Sequence, residues 1–313
     1  MRRLAYIGIL IVMVWGSLMA QNTKNYTPVN MYMLNPLLVN PAYSGARESL
    51  SLTVLGGANW LDIPNAQVQN WNAAGVMASF TGDIPVSEQN AVGMTVVNNR
   101  FGVNKNTSVY AHYAFRISTS VGKLSFGLRG GMNSYNRDLR SAAFRDQNDP
   151  VEFFDYSRIF PNFGAGIYWY SDNYYAGLSV PDFFFPPKGS EGFDGDPRNY
   201  NYTFLGGYLF RISDDFKIKP STMITYSLNA PVAYHANLSF IMFQDRVWFG
   251  MGYKPQGLVA LLEIQASSPI RIGYAFEFPT GGIRTYAPWG SHEILIRYDF
   301  SYKLRSVSPA YFW

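Results

Sequence analysis

The sequence predicts an all-β fold: a transmembrane antiparallel β-barrel of about 14 strands, with short periplasmic turns and long external loops. Three observations predict it. Charged residues make up only 15% of the 313-residue chain, while aromatics reach 17%. Mean hydropathy is nevertheless only -0.08, which is unlike a bundle of membrane helices. Third, apolar and polar residues alternate with period two over most of the chain, the period of a strand with two different faces.

The N-terminus reads as an export signal over residues 1–20. Arg2 and Arg3 form a basic start, Leu4 to Trp15 an apolar run, and Leu18-Met19-Ala20 a cleavage site that leaves Gln21 first. The apolar run falls short of the roughly 20 residues of a membrane-spanning helix. Taking Arg2 and Arg3 from the formal charge of +4 leaves +2, too little for a nucleic-acid footprint, and no basic cluster appears. There is no cysteine, so disulfides, thiolate metal sites and a lipid-modified N-terminal Cys are excluded.

Residues 21–47 do not alternate. Asn35, Pro36, Asn40 and Pro41 favour turns, whereas Leu34, Leu37, Leu38, Val39 and Ala42 are apolar. The segment is expected to pack in the lumen or at the periplasmic mouth. Residues 48–303 form the barrel, with strands expected near 48–58, 72–82, 88–100, 105–118, 121–134, 161–171, 173–180, 199–211, 215–228, 231–242, 246–254, 256–266, 268–277 and 290–303. Val109, Ala111, Tyr113, Phe115 and Ile117 against Ser108, Tyr110, His112, Ala114 and Arg116 illustrate the alternation. The small and polar face carries Arg116, Arg129, Lys217, Lys219, Glu263, Arg271, Glu277, Arg297 and Asp299. Their mixed signs point to ion pairing with a plug or with one another, unlike the single-sign ring of an ion-selective pore.

Long connections near 59–71, 135–160, 181–198 and 278–289 all follow odd-numbered strands, and every even-numbered strand ends in a short turn. Since barrels place short turns in the periplasm, both termini are expected there. The last strand, with Ile294, Ile296, Tyr298 and Phe300, has the aromatic ending of a barrel-assembly signal. A periplasmic tail, 304–313, follows it.

Catalytic and metal chemistry finds little support. His112 and His235 face the lumen by parity, and His292 opens the last strand. None stands at metal-ligand spacing from another candidate ligand. Asp146, Asp149, Glu152 and Asp155 sit among Arg137, Arg140, Arg145 and Arg158, but not at the spacing of a calcium-binding loop, and read as a solvated loop. No cofactor is implied.

Asn35-Pro36-Leu37-Leu38-Val39-Asn40-Pro41-Ala42-Tyr43-Ser44-Gly45, preceded by Tyr32, resembles the N-terminal hallmark of the PorP/SprF family. Residues 161–181 resemble its middle segment. His292 to Phe300 with Ser308-Pro309-Ala310-Tyr311-Phe312 resembles its C-terminal end, although Ala310 stands where the family usually has a basic residue. The resemblance spans the expected mature chain. It implies a non-enzymatic component of the bacterial type IX secretion system, in an apparatus that powers gliding motility in some relatives. Implied partners are outer-membrane lipid, the PorK/PorN ring, the lipoprotein PorE and cargo with a C-terminal sorting domain. Tyr32, Asn35, Asn40, Pro41, Ala42, Tyr43, Gly45, Pro309, Tyr311 and Phe312 would then carry partner contacts. One alternative is a 14-stranded transporter for a small hydrophobic solute, with Met31 to Ala42 as the plug found in fatty-acid transporters. Another is an outer-membrane hydrolase using His112 or His235.

Overall fold

The computed structural model describes residues 29–59, 75–137, 156–185, 194–281, 284 and 288–300. The expected signal segment, the acidic loop cluster of Asp146, Asp149, Glu152 and Asp155, and the tail with Pro309, Tyr311 and Phe312 lie outside the described residues.

One antiparallel sheet accounts for nearly everything described. Its strands are β1 (Leu50–Asn59), β2 (Gly75–Pro85), β3 (Asn90–Phe101), β4 (Asn104–Thr119), β5 (Gly122–Arg137), β6 (Tyr156–Tyr170), β7 (Tyr174–Val180), β8 (Tyr202–Tyr208), β9 (Phe210–Arg211), β10 (Phe216–Ser227), β11 (Ala230–Met242), β12 (Val247–Lys254), β13 (Gly257–Gln265), β14 (Ile270–Pro279) and β15 (Ser291–Phe300). Each pairs with its neighbour in sequence, and β1 pairs with both β2 and β15, so the sheet closes. β8 and β9 are one barrel strand. Both pair with β10 in a single register, Ser221 opposite Gly207 and Ile218 opposite Phe210. The interruption falls opposite Lys219 and Pro220, and proline has no N–H to give the ladder. Closure thus involves 14 strands.

The alternation is now a division between lipid and lumen. On β5, Phe126 and Leu128 are 41% and 62% exposed on the outside, while Ser125 and Arg129 are 0% and 6% exposed on the inside. An outside row of Val, Ile, Leu, Phe and Tyr suits hydrocarbon, and closure leaves no free strand edge to desolvate. The charged residues predicted to face the lumen do so. Arg116, Arg129, Lys217, Lys219, Glu263, Arg271, Glu277 and Arg297 are buried, and Asp299 joins them through Arg297.

The two ends differ. At one end all connections are short: 86–89, 120–121, 171–173, 212–215, 243–246 and 266–269. The other carries 60–74, 138–155, 181–201 and 280–290 besides three tight turns. The wall is also uneven. β4 and β5 have 16 residues and β6 has 15, against 7 in β7 and 8 in β12. β6 begins at Tyr156, five residues before the expected start at Pro161. Pro161 lies within β6, opposite Met132 of β5, while the pairing of β7 with β6 stops at Ala165. With no partner strand on that side, the missing N–H costs nothing.

Candidate functional site

Inside the wall lie residues 29–47, touching β1 to β7 on one side and β11, β12, β14 and β15 on the other. Two single turns of 3-10 helix, Pro36–Leu38 and Pro41–Tyr43, shape this plug. Each opens on proline, whose fixed φ suits a first helical position and whose lack of an N–H is harmless there. Asn40 caps the second turn, its Oδ1 accepting from Ala42 N at 3.0 Å.

The turn at Asn40-Pro41-Ala42 rests on a bare patch of wall. Gly127 of β5 pairs with Gly166 of β6, and Gly177 of β7 adjoins them. A Cβ on Gly127 would collide with the backbone of Ala42 and Pro41, and one on Gly166 with the Asn40 amide. On Gly177 it would stand 2.8 Å from Asn40 Nδ2. That amide donates to the main-chain oxygen of Ile167 at 3.1 Å, and Ser179 Oγ donates to Val39 O at 2.7 Å. The motif asparagine therefore fastens the plug to β6.

Toward the short-turn end, Gly45 has φ +68° and donates its N–H to Asp83 at 2.7 Å. A left-handed backbone there, with Ala91 directly against it, leaves room only for glycine. Arg116 donates to Gly45 O at 2.6 Å. Arg47 reaches Tyr43 Oη at 3.0 Å, Leu34 O at 2.7 Å, Ser51 Oγ at 2.7 Å and Asp299 at 3.4 Å. Glu48 pairs with Lys123. The Tyr43 ring meets Tyr168 edge-on at 5.4 Å. Burial pushes the Tyr43 phenol up to about 12, so it stays neutral.

The other end of the plug is held by charge. Glu293 accepts from Asn30 N at 2.9 and 3.0 Å and from Met31 N at 3.2 Å. Lys254 donates to Asn30 Oδ1 at 2.8 Å and pairs with Glu277 at 2.5 Å. A buried carboxylate and ammonium are tolerated because each finds partners. Next in the chain, Tyr32 accepts from Asn237 at 3.1 Å and stacks on His235 at 5.5 Å, and burial pushes its phenol up to about 12. Thr81 donates to Asn35 Oδ1 at 3.2 Å. Between the two ends, Glu263 bridges Arg271 and Arg297 at 3.1 and 3.3 Å, and Arg297 also donates to Leu34 O.

The structure thus brings Tyr32, Asn35, Asn40, Pro41, Ala42, Tyr43 and Gly45 together, all buried; of these, Asn40 and Ala42 have 0% exposure. As placed, they present no surface to another protein. Ile294, Ile296, Tyr298 and Phe300 form the lipid face of β15. Gly127, Gly166 and Gly177 were not joined into one patch by sequence reasoning. The available signal was small residues on the lumenal parity of three consecutive strands. Glu293 was read only as part of the last strand.

His112 Nε2 meets Thr95 Oγ1 at 2.8 Å, and His292 lies between Tyr274 Oη and Trp289 O at 2.7 and 3.0 Å. Among the described residues, no three His, Cys, Asp or Glu side chains are grouped to hold a metal ion.

A family model described as type IX secretion system membrane protein PorP/SprF matches residues 21–298. A search among curated proteins finds no match. Among solved structures, the toluene transporter TbuX of Ralstonia pickettii is similar at 9% identity and TM-score 0.52, over 87% of this chain and 93% of its own. The toluene transporter TodX of P. putida is similar at 10% identity and TM-score 0.50, over 88% and 95%. At such identities the likeness is one of fold.

Proposed function

The chain belongs to the PorP/SprF family of type IX secretion system membrane proteins, and from that premise we propose that it docks the secretion machinery to the outer membrane. It is a multi-pass outer-membrane barrel. The role we assign is that of the PorP-like members: a non-enzymatic anchor for the PorK/PorN ring and PorE in the periplasm, for exported cargo with a C-terminal sorting domain outside, or for both. One observation supports docking over conduction. The lumen is occupied by the chain's own residues 29–47, fastened wall to wall, which leaves the rims and loops as working surfaces.

In this reading the motif residues Asn35 to Gly45 act indirectly, by holding the plug. Direct contact with the periplasmic partners falls to the short turns and to the tail with Pro309, Tyr311 and Phe312. The test is affinity purification from membranes of the whole protein and of a variant lacking 304–313. Loss of PorK, PorN and PorE with the tail, while the barrel still assembles, is the expected result. Unchanged recovery of all three would remove the tail from the interface.

A second reading, a channel for a small hydrophobic solute, draws on the architecture shared with the toluene transporters. Uptake of a labelled aromatic hydrocarbon that disappears on deletion of the gene, with secretion intact, would favour it.

A further inference from the structure

We propose that the barrel binds the phosphate of a lipid headgroup on its outer wall, where Arg100 of β3 and Lys105 of β4 stand directly opposite one another beside the turn at 102–103. The site goes beyond the docking reading and does not depend on which machinery the barrel anchors.

Charge is kept off the lipid side of the strands with this one exception. On β3 the exposed Val92 and Met94 set the outward parity, and Arg100 shares it. On β4 the exposed Val109, Tyr113 and Phe115 set it, and Lys105 shares it. Asn98 Nδ2 donates to Thr107 Oγ1 at 2.8 Å across the same face, so the parity holds toward the end of the hairpin. Among the described strand residues, every other Asp, Glu, Lys and Arg falls on the lumenal parity. The lumenal charges are mixed in sign and pair with one another or with the plug. The outer two are both positive. Cβ atoms of directly opposed residues are about 5 Å apart, a distance at which like charges repel. Among the described residues no carboxylate shares their face. A bound anion converts that repulsion into two attractions, and an arginine fork beside a lysine point charge suits the oxygens of a phosphate.

Height selects a lipid over a free anion. Val76 of β2, 47% exposed on the lipid side, stands opposite Arg100 on its other flank. Below the basic pair, Val96, Val109 and Met132 form one apolar row across β3, β4 and β5. Arg100 lies four residues past Val96. That is about 13 Å along the strand and about 10 Å in height at the tilt of such barrels. The step leads from hydrocarbon into the headgroup layer. Acyl chains lie along the apolar row while the headgroup meets Arg100 and Lys105. Asn136, opposite Lys105, and the Thr107 hydroxyl add neutral donors. With the long loops outside, as in the docking reading, the leaflet is the outer one.

The test is native mass spectrometry of the whole protein in a neutral detergent, titrated with phosphatidic acid, with phosphatidylcholine and with inorganic phosphate. One phosphatidic acid should be retained in preference to phosphatidylcholine, and inorganic phosphate should not displace it. In Arg100→Gln/Lys105→Gln the affinity for phosphatidic acid should fall about 25-fold, from about fivefold for each basic residue at an anionic surface. Lys105→Gln alone alters one exposed side chain and should lose about fivefold, which decides the matter if the double variant fails to assemble. Arg137→Gln changes a cation of the same rim on the lumenal parity, held by Asn104 and Tyr135, and should bind as the unmodified protein does. Undiminished affinity in Lys105→Gln, or an equal loss in Arg137→Gln, would overturn the site. Displacement of the lipid by inorganic phosphate would make it a free-anion site and overturn the assignment to a headgroup.

Discussion

The two ends of the plug are held by different physics. Around Asn40 to Gly45 the grip is one of shape: a turn pressed onto three wall glycines, with hydrogen bonds that only this close approach permits. Around Asn30 and Met31 it is one of charge: a buried carboxylate on two N–H groups, with a lysine and a second carboxylate beside it. A shape lock fails abruptly when atoms are added, because backbone cannot yield as a side chain can. A charge clasp weakens by degrees, since each partner removed leaves another group to rearrange around. The difference identifies the Asn30 end as the one able to loosen while the rest stays seated.

The largest effect should come from filling the glycine patch. Gly127→Ala places a methyl against the backbone of Ala42 and should weaken plug docking by about 3 kcal/mol. Amide hydrogen exchange across residues 40–47 should accelerate while the barrel strands remain protected. Unchanged exchange there would mean that the plug does not depend on the bare patch.

Glu293→Gln keeps the volume but removes the charge that holds two N–H groups, which is worth about 2 kcal/mol. Faster exchange should be confined to Asn30 and Met31. Equal loosening of residues 40–47 would abolish the distinction between the ends.

The smallest effect is alkaline. Tyr32 and Tyr43 are held neutral up to about 12 by burial. A released plug would carry phenols near their ordinary value of about 10. Docking is therefore insensitive below pH 10 and is lost progressively as pH rises from 10 toward 12. At pH 10.5 the loss is under about 1 kcal/mol for each tyrosine. Ultraviolet titration should show a late phase whose amplitude falls by one phenol in Tyr43→Phe and by one more when Tyr32→Phe is added. A single transition near 10 would mean that neither ring is sealed in the lumen.

Much of this was legible in the sequence. The inward placement of Arg116, Arg129, Glu263 and Arg297 followed from strand parity alone, as did that of His112 and His235. The long and short ends of the barrel followed from the spacing of turn residues. Less visible was the extent of β6, because Pro161 reads locally as a boundary and becomes harmless only where β7 has already stopped. The break between β8 and β9 was likewise hidden, since its cause is Pro220 on the neighbouring strand.

The sequence by itself determined the barrel, its lipid and lumen faces and the apolar, turn-rich character of residues 29–47. Period-two alternation is written into each strand and needs no knowledge of its neighbours. Only the tertiary structure decided what the lumen does with that segment. The patch under Asn40 is assembled from three strands, and Glu293 meets Asn30 across 263 residues of chain. Such contacts exist only once the sheet has closed. A side chain that recognises main chain leaves no periodic or compositional mark on the sequence it holds.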